Sequence, residues 1–271
     1  MFSIIVPTLG EKTKELQRLL DSLRKQENIE KEIILVVQDN YEQVEKISME
    51  YKDLDINIFN VNFRGLSKAR NYALNHIKGD FIVFSDDDCW YPDNIFFSIK
   101  KELCSTAVGL VRIYDPNKKE FYKNYKINTQ KNIRFLDIFK VSSIEIFINA
   151  KFIKKEDIYF DERLGLGAKF SSGEENSLLI DLWRKGYRNM LNIPEIGVFH
   201  EKKDKYISDY KSYFYQKGAL FSRNFSNVIS LTLGIIFLMK KLKLSLKNYV
   251  YYKSYIRGMK DLKGSIKKVE S

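Results

Sequence analysis

The chain has 271 residues, 44% of them hydrophobic, and a formal net charge of +11. That is enough apolar material for an ordinary core, which excludes wholesale disorder. The excess charge sits at one end: residues 1–200 carry 30 basic and 30 acidic side chains, residues 201–271 carry 16 and 5. Two cysteines, Cys89 and Cys104, with no CxxC and no neighbouring His, exclude a disulfide framework and a structural zinc site, and they fit a reducing compartment.

In chain order, Phe2–Val6 reads as a short apolar strand, and Thr13–Gln26 has the helical spacing of Leu16, Leu19, Leu20 and Leu23. Glu32–Val37 is a strand-length apolar run, Tyr41–Tyr51 is helical, and Ile56–Val61 is a strand. Leu66–Ile77 is a helix closed by Gly79, Asp80–Ser85 a strand, and Pro92 suits the first position of the next helix. Strands without strict alternation, separated by helices, predict βαβ units around a parallel sheet covered on both faces. Beyond Cys104 the pattern loosens, with strands expected at Thr106–Tyr114, Phe121–Ile127 and Ile144–Asn149. A glycine- and serine-rich loop, Gly165–Gly173, leads into a helix that starts at Glu174–Glu175 and ends at Gly186. A strand over Ile196–Phe199 ends at His200.

The opening MFSIIVPTLGEK lacks a basic n-region, so no secretory signal is expected. The longest apolar stretch, Val228–Met239, falls short of the ~20 residues a spanning helix needs. A cytoplasmic protein is expected, with a peripheral place on the inner face of the membrane as an option. The basic tail suits either an anionic partner or a solvated face.

In parallel sheets ligands gather outside the carboxyl ends of the strands. Pro7–Thr8, Gln38–Asp39–Asn40 and Ser85–Asp88 all fall there. Asp86, Asp87 and Asp88 form three adjacent anions whose repulsion a divalent cation would relieve; the plainer reading is an acidic turn. Glu174 and Glu175 either serve the helix dipole or supply a general base. His200 is an ordinary edge histidine unless its strand end faces the aspartates, where imidazole would complete a metal shell. Lys68 and Arg70 belong to a solvated helix face or contact a diphosphate. Cys89 reads as a small buried residue.

SIIVPT, VVQDN, NFRGLSKARNYAL, GDFIVFSDDDCWYPDN, GEENSLLIDLWRKGY and VFH, in this order over Ser3–His200, resemble the family 2 glycosyltransferases. The resemblance implies a GT-A fold, an α/β architecture with a Rossmann-like, mostly parallel central sheet and helices on both faces. Residues 1–204 would form the catalytic domain, with a nucleotide-binding half at 1–104 and an acceptor half at 105–204. Residues 205–271 would add a basic, aromatic-rich helical region.

The implied reaction is transfer with inversion from a nucleotide-diphosphate sugar, UDP by preference, in cell-surface polysaccharide or glycan synthesis. Pro7, Thr8, Asp39, Arg70, Asp86 and Asp87 would bind the donor, and Asp87 or Asp88 with His200 would hold Mn2+ or Mg2+. Glu175 matches the position of the base, with Glu174 beside it. The acceptor would be a saccharide, for instance polyprenyl-diphosphate-linked. The C-terminal helices would meet an anionic membrane or form a homodimer, and no nucleic-acid partner is expected. A sugar nucleotidyltransferase is the competing enzyme, although VPTLGEKTKE lacks its glycine-rich basic loop. A non-catalytic membrane- or nucleic-acid-binding adaptor is the competing non-enzyme.

Overall fold

A computed structural model describes residues 1–125, 132–202, 209–242 and 248–267. The first half alternates as expected: β1 (Phe2–Thr8), α1 (Thr13–Arg24), β2 (Lys31–Val37), α2 (Tyr41–Ser48), β3 (Asp55–Asn60), α3 (Leu66–Leu74), β4 (Phe81–Phe84) and α4 (Ile95–Leu103). The second half holds β5 (Val108–Asp115), β6 (Glu120–Phe121), β7 (Ile146–Asn149), α5 (Glu174–Arg184) and β8 (Met190–Phe199), followed by α6 (Tyr210–Asn224), α7 (Asn227–Leu242) and α8 (Tyr249–Lys267).

The sheet runs β3-β2-β1-β4-β7-β5-β6, with β8 alongside β5. The β3, β2, β1 and β4 strands are parallel, and β7 is antiparallel to both β4 and β5. Two apolar layers cover it, one including Leu16, Leu19, Leu20 and Leu23 of α1, the other Leu178, Leu179 and Leu182 of α5. Because β2 and β4 flank β1 on opposite sides, the chain reverses its winding at β1, and a crevice opens above the carboxyl ends of β1 and β4.

Several boundaries differ from the sequence expectation, each for a local reason. Pro92 is not the first residue of α4. Asn94 takes a left-handed conformation (φ 55°), and the helix starts at Ile95. The buried Gln26 side chain brackets that start, donating to the Pro92 carbonyl at 2.8 Å and accepting from the Phe96 amide at 3.0 Å. The strand expected over Phe121–Ile127 is only Glu120–Phe121 within the described residues, and Ile127 lies outside them. After Phe121 the Tyr125 hydroxyl, at 3.0 Å, accepts the Ile113 amide proton. The strand at Ile196–Phe199 is the end of a ten-residue strand, β8, whose pairing with β5 slips around Arg112.

The C-terminal helices are fastened to the sheet-bearing part of the chain rather than hung from it. Arg223 of α6 makes a fork–fork pair with Asp181 of α5, both contacts 2.6 Å, and reaches Asp161 at 3.1 Å. Asn224 donates to Ser177 at 2.9 Å, and Phe170 stacks on Tyr215 with 5.6 Å between centroids. The expected boundary at 204/205 falls outside the described residues.

Helices α6 and α8 cross backbone to backbone. A Cβ at Gly218 would stand 2.0 Å from the Tyr255 carbonyl oxygen, and one at Gly258 2.0 Å from that of Tyr215. Gly218→Ala is therefore expected to destabilise the protein by about 1–3 kcal/mol through overpacking. Urea denaturation would read this, and an unchanged midpoint would contradict the close crossing.

Candidate active site

Contacts between strand ends build the floor of the crevice. Thr8, at the end of β1, donates its hydroxyl to Asp87 at 2.7 Å, spanning the point where the winding reverses. The Gly10 amide donates to the same hydroxyl oxygen at 2.9 Å, which fixes its direction. Trp90 and Phe199 exchange two backbone hydrogen bonds, 3.1 and 2.7 Å, and this bridge delivers the end of β8 to the aspartate turn. His200 consequently lies with Nε2 3.2 Å from Asp88 Oδ1.

The three aspartates face different neighbours and carry different electrostatics. Asp86 accepts from Arg70 at 3.0 Å. Asp87 is mostly buried, and desolvation, with the neighbouring carboxylates, raises its pKa above the ordinary carboxylate value despite Thr8 and Lys12. Asp88 is held well below that value by the hydrogen bond from His200, with Lys12 assisting against its desolvation. Burial lowers the basicity of His200, but its hydrogen bond to Asp88 and the negative charge there more than offset this, so its pKa is raised.

A residue that sequence reasoning passed over completes the group. The Lys12 ammonium lies 2.7 Å from Asp88 Oδ2 and 3.5 Å from Asp87 Oδ1, a cation straddling two carboxylates. Its side chain keeps 45% of its surface exposed. The signal was present in VPTLGEK, where a lysine follows the first strand at short range. Arg18 was also missed; its guanidinium donates to the Asp88 carbonyl at 3.1 Å and lies over the Trp90 ring at 3.6 Å.

Arg70 has no exposed surface. Its Nη2 serves both Asp86 (3.0 Å) and the Ser143 hydroxyl (2.9 Å), while Nη1 faces Glu174 Oε1 at 3.5 Å. The face of α3 that carries it is buried, not solvated as one sequence reading had it, and in this position Arg70 does not reach the open crevice. It is a bracket that ties the aspartate turn to the tip of α5.

Glu174 is buried against that bracket, whereas Glu175, next on the helix, is only partly covered. Desolvation first, and the adjacent Glu174 charge second, push the Glu175 carboxyl above the ordinary range. Lys217 of α6 is close enough to feel both glutamates, and its own desolvation lowers its pKa. Gly173, with φ 95°, turns the chain into α5, and a Cβ there would press to 2.7 Å on Leu220 of α6.

At the pocket rim Asp39 pairs with Arg64, while Gln38 accepts from the Gly65 amide at 2.7 Å. Pro7 lies within β1, paired with Val36. Cys89 is buried, and desolvation lifts its thiol to about 12, so it is inert at neutral pH.

Among the described residues no group of three or more His, Cys, Asp or Glu side chains is spaced to hold a metal ion by itself. What the chain offers is a carboxylate–imidazole pair with a second carboxylate beside it. That donor set fits an ion whose remaining ligands come from a phosphate-bearing substrate.

The mostly parallel sheet, with its acidic turn at the winding reversal, has the GT-A fold seen in solved glycosyltransferases. The model of the family described as Glycosyl transferase family 2 matches residues 3–159, and the chain belongs to that family.

Among curated proteins it is similar to the poly(ribitol-phosphate) beta-N-acetylglucosaminyltransferase TarS of Staphylococcus aureus. The two are 28% identical over 181 residues, 60% of this chain and 30% of that protein. Similarity to the glycosyltransferase GlyA of Streptococcus pneumoniae is 28% over 126 residues, 44% of this chain and 18% of GlyA. The chain thus spans less than a third of these relatives' length. Among solved structures, S. aureus TarS 1–349 in complex with UDP-GlcNAc superposes with a TM-score of 0.68 at 18% identity, covering 96% of this chain and 80% of that one. The mannosyltransferase PcManGT from Pyrobaculum calidifontis, in complex with GDP-Man and Mn2+, gives 0.56 at 14% identity, covering 99% and 74%.

Proposed function

We propose that the protein transfers a sugar from a UDP-sugar to an acceptor hydroxyl with inversion, in the synthesis of a cell-surface polymer. The observation that carries this reading is the Arg70 bracket: one guanidinium links Asp86 to Glu174, which sets the acidic turn opposite the tip of α5. The named activity and bound UDP-GlcNAc of TarS support the choice of donor.

In the proposed reaction Asp39, with Arg64, borders the nucleoside, and Pro7, Thr8, Asp86 and Asp87 shape the donor pocket. Asp88 and His200 would hold Mn2+ or Mg2+, with Asp87 alongside; the ion would neutralise charge developing on the diphosphate as the anomeric C–O bond breaks. Lys12, freed from the carboxylates, would add its charge on the phosphate side. Glu175 takes the proton from the acceptor hydroxyl while that oxygen attacks the anomeric carbon from the opposite face. The bond to the acceptor forms as the bond to UDP breaks, so one displacement inverts the centre. Arg70 positions both carboxylate groups and does not itself touch the donor.

The acceptor half supports a phosphate-bearing acceptor, whether a polyprenyl-diphosphate-linked saccharide or a polyol phosphate. A cleft of about 310 Å³ there is lined by Arg112, Lys123, Arg134 and Lys140 against Asp137 and Glu145. It shares a wall with the carboxylate site, because Ser143, which accepts from Arg70, and Glu145 belong to one turn.

A thermal-shift screen of nucleotide sugars with manganese tests the reading. UDP-sugars are expected to raise the melting temperature and to be slowly hydrolysed. Absence of both effects with UDP-sugars would overturn the UDP reading, and absence across GDP- and dTDP-sugars as well would overturn sugar transfer. Lys12→Ala is expected to raise nucleotide-free Mn2+ affinity several-fold, since the straddling ammonium competes for the same carboxylates. Unchanged affinity by calorimetry would remove Lys12 from that role.

A further inference from the structure

We propose that α7 seats the protein on an anionic lipid surface, lying flat with its apolar face in the headgroup boundary. Its inward side carries Ser230, Gly234 and Leu238. The Tyr255 hydroxyl donates to the Ser230 carbonyl at 2.6 Å, and Gly234 lets the Tyr255 ring approach. The outward side carries the large apolar groups instead. Val228 is 74% exposed, Ile229 49%, Ile235 43%, Ile236 55% and Met239 54%. These positions recur at helical spacing, so they form one continuous face turned to solvent. Tyr249 and Val250, at the start of α8, are exposed apolar groups as well. A patch of this kind on a folded chain marks an interaction surface.

Charge selects the occupant. The segment Asn227–Leu242 contains no Asp or Glu and finishes on Lys240 and Lys241, both exposed. From Tyr210 to Lys267 the sequence has twelve basic residues and one acid, Asp261. That acid is already engaged by the Tyr215 hydroxyl at 2.9 Å and Arg257 at 3.7 Å. Two copies meeting through this face would bring two basic rims together, whereas anionic headgroups neutralise them. No helix among the described residues is long and apolar enough to cross a membrane, so α7 would lie on the surface. The inference is independent of the transfer reaction: it rests on the C-terminal helices and their charge.

Vesicle co-sedimentation of the full chain tests it, with phosphatidylglycerol-containing vesicles against pure phosphatidylcholine. Binding is expected to the anionic vesicles and to fall with salt. The double variant Lys240→Gln/Lys241→Gln is expected to weaken it about thirty-fold, from roughly a fivefold loss per lysine near the surface. Ile236→Asp is expected to abolish it while leaving the melting temperature and donor hydrolysis unchanged. Should Ile236→Asp fail to fold, the exposed lysine pair and the salt titration of the unaltered protein still decide the matter. Equal binding to both vesicle types, no binding to either, or an Ile236→Asp variant that binds as before would overturn the proposal. So would a concentration-dependent dimer by light scattering that Ile236→Asp dissociates, which would assign the face to a second copy.

Discussion

Glu175→Gln is expected to lower kcat by about a thousand-fold, the range that a positioned general base contributes, with little change in the Kd for the UDP-sugar. The side chain keeps its size and its place at the tip of α5 but can no longer accept a proton. A kcat within tenfold of the unaltered protein would remove Glu175 from the role of base. The pH profile adds a second reading. Desolvation and the Glu174 charge raise the Glu175 pKa, so the acid limb of kcat should lie above the usual carboxylate value of about 4.3. Glu174→Gln removes the neighbouring anion and should move that limb to lower pH.

Linkage predicts the accompanying stability. A carboxyl raised in the folded state binds its proton more tightly there than in the unfolded chain. Its ionisation therefore lowers stability as pH rises from the unfolded to the folded pKa. Glu175→Gln should accordingly stabilise the protein above that window and do so less below it. Calorimetry at two pH values would show it.

Asp88→Asn is expected to reduce kcat/KM by about a hundred- to a thousand-fold, the usual cost of losing one group that stabilises charge in the transition state. Asp88 is the meeting point of His200 and Lys12, so its loss leaves His200 without a carboxylate partner and weakens Mn2+ binding in the presence of UDP. Asp87→Asn should cost less, because Asp87 is already engaged by the Thr8 hydroxyl and lies farther from Lys12 than Asp88 does. Activity untouched in Asp87→Ala and in Asp88→Ala would sink the whole diphosphate reading. A larger effect at Asp87 would exchange the roles of the two residues.

The first hundred residues were legible because their strands are uninterrupted apolar runs such as EIILVV, which need only to be covered on both faces. The stretch beyond Cys104 was less so. The β7 strand inserts between β4 and β5, a choice of neighbours made across long stretches of chain that no local period records. The β8 strand was visible only at its end, since Asn192, Pro194 and Glu195 break its apolar pattern and its pairing with β5 slips. Within the site, Asp86–Asp88 and Glu174–Glu175 stood out because adjacent like charges are costly without a reason. Arg70 stood out only as a donor contact or a solvated residue, because a basic residue on a short helix looks the same whether it faces a ligand, is solvated or is buried. Its part emerged only once Asp86, Ser143 and Glu174, far apart in sequence, were seen around one guanidinium.

The glycine crossing of α6 and α8 has a consequence for reach. Among the described residues the α6 and α8 backbones are in contact, Arg223 ties α6 to α5, and Tyr255 ties α8 to α7. A protein seated through α7 would hold Glu175 at a set height above its support. The helices would then act as a ruler, favouring acceptor hydroxyls that stand off the surface by that one length over those nearer or farther along the same carrier.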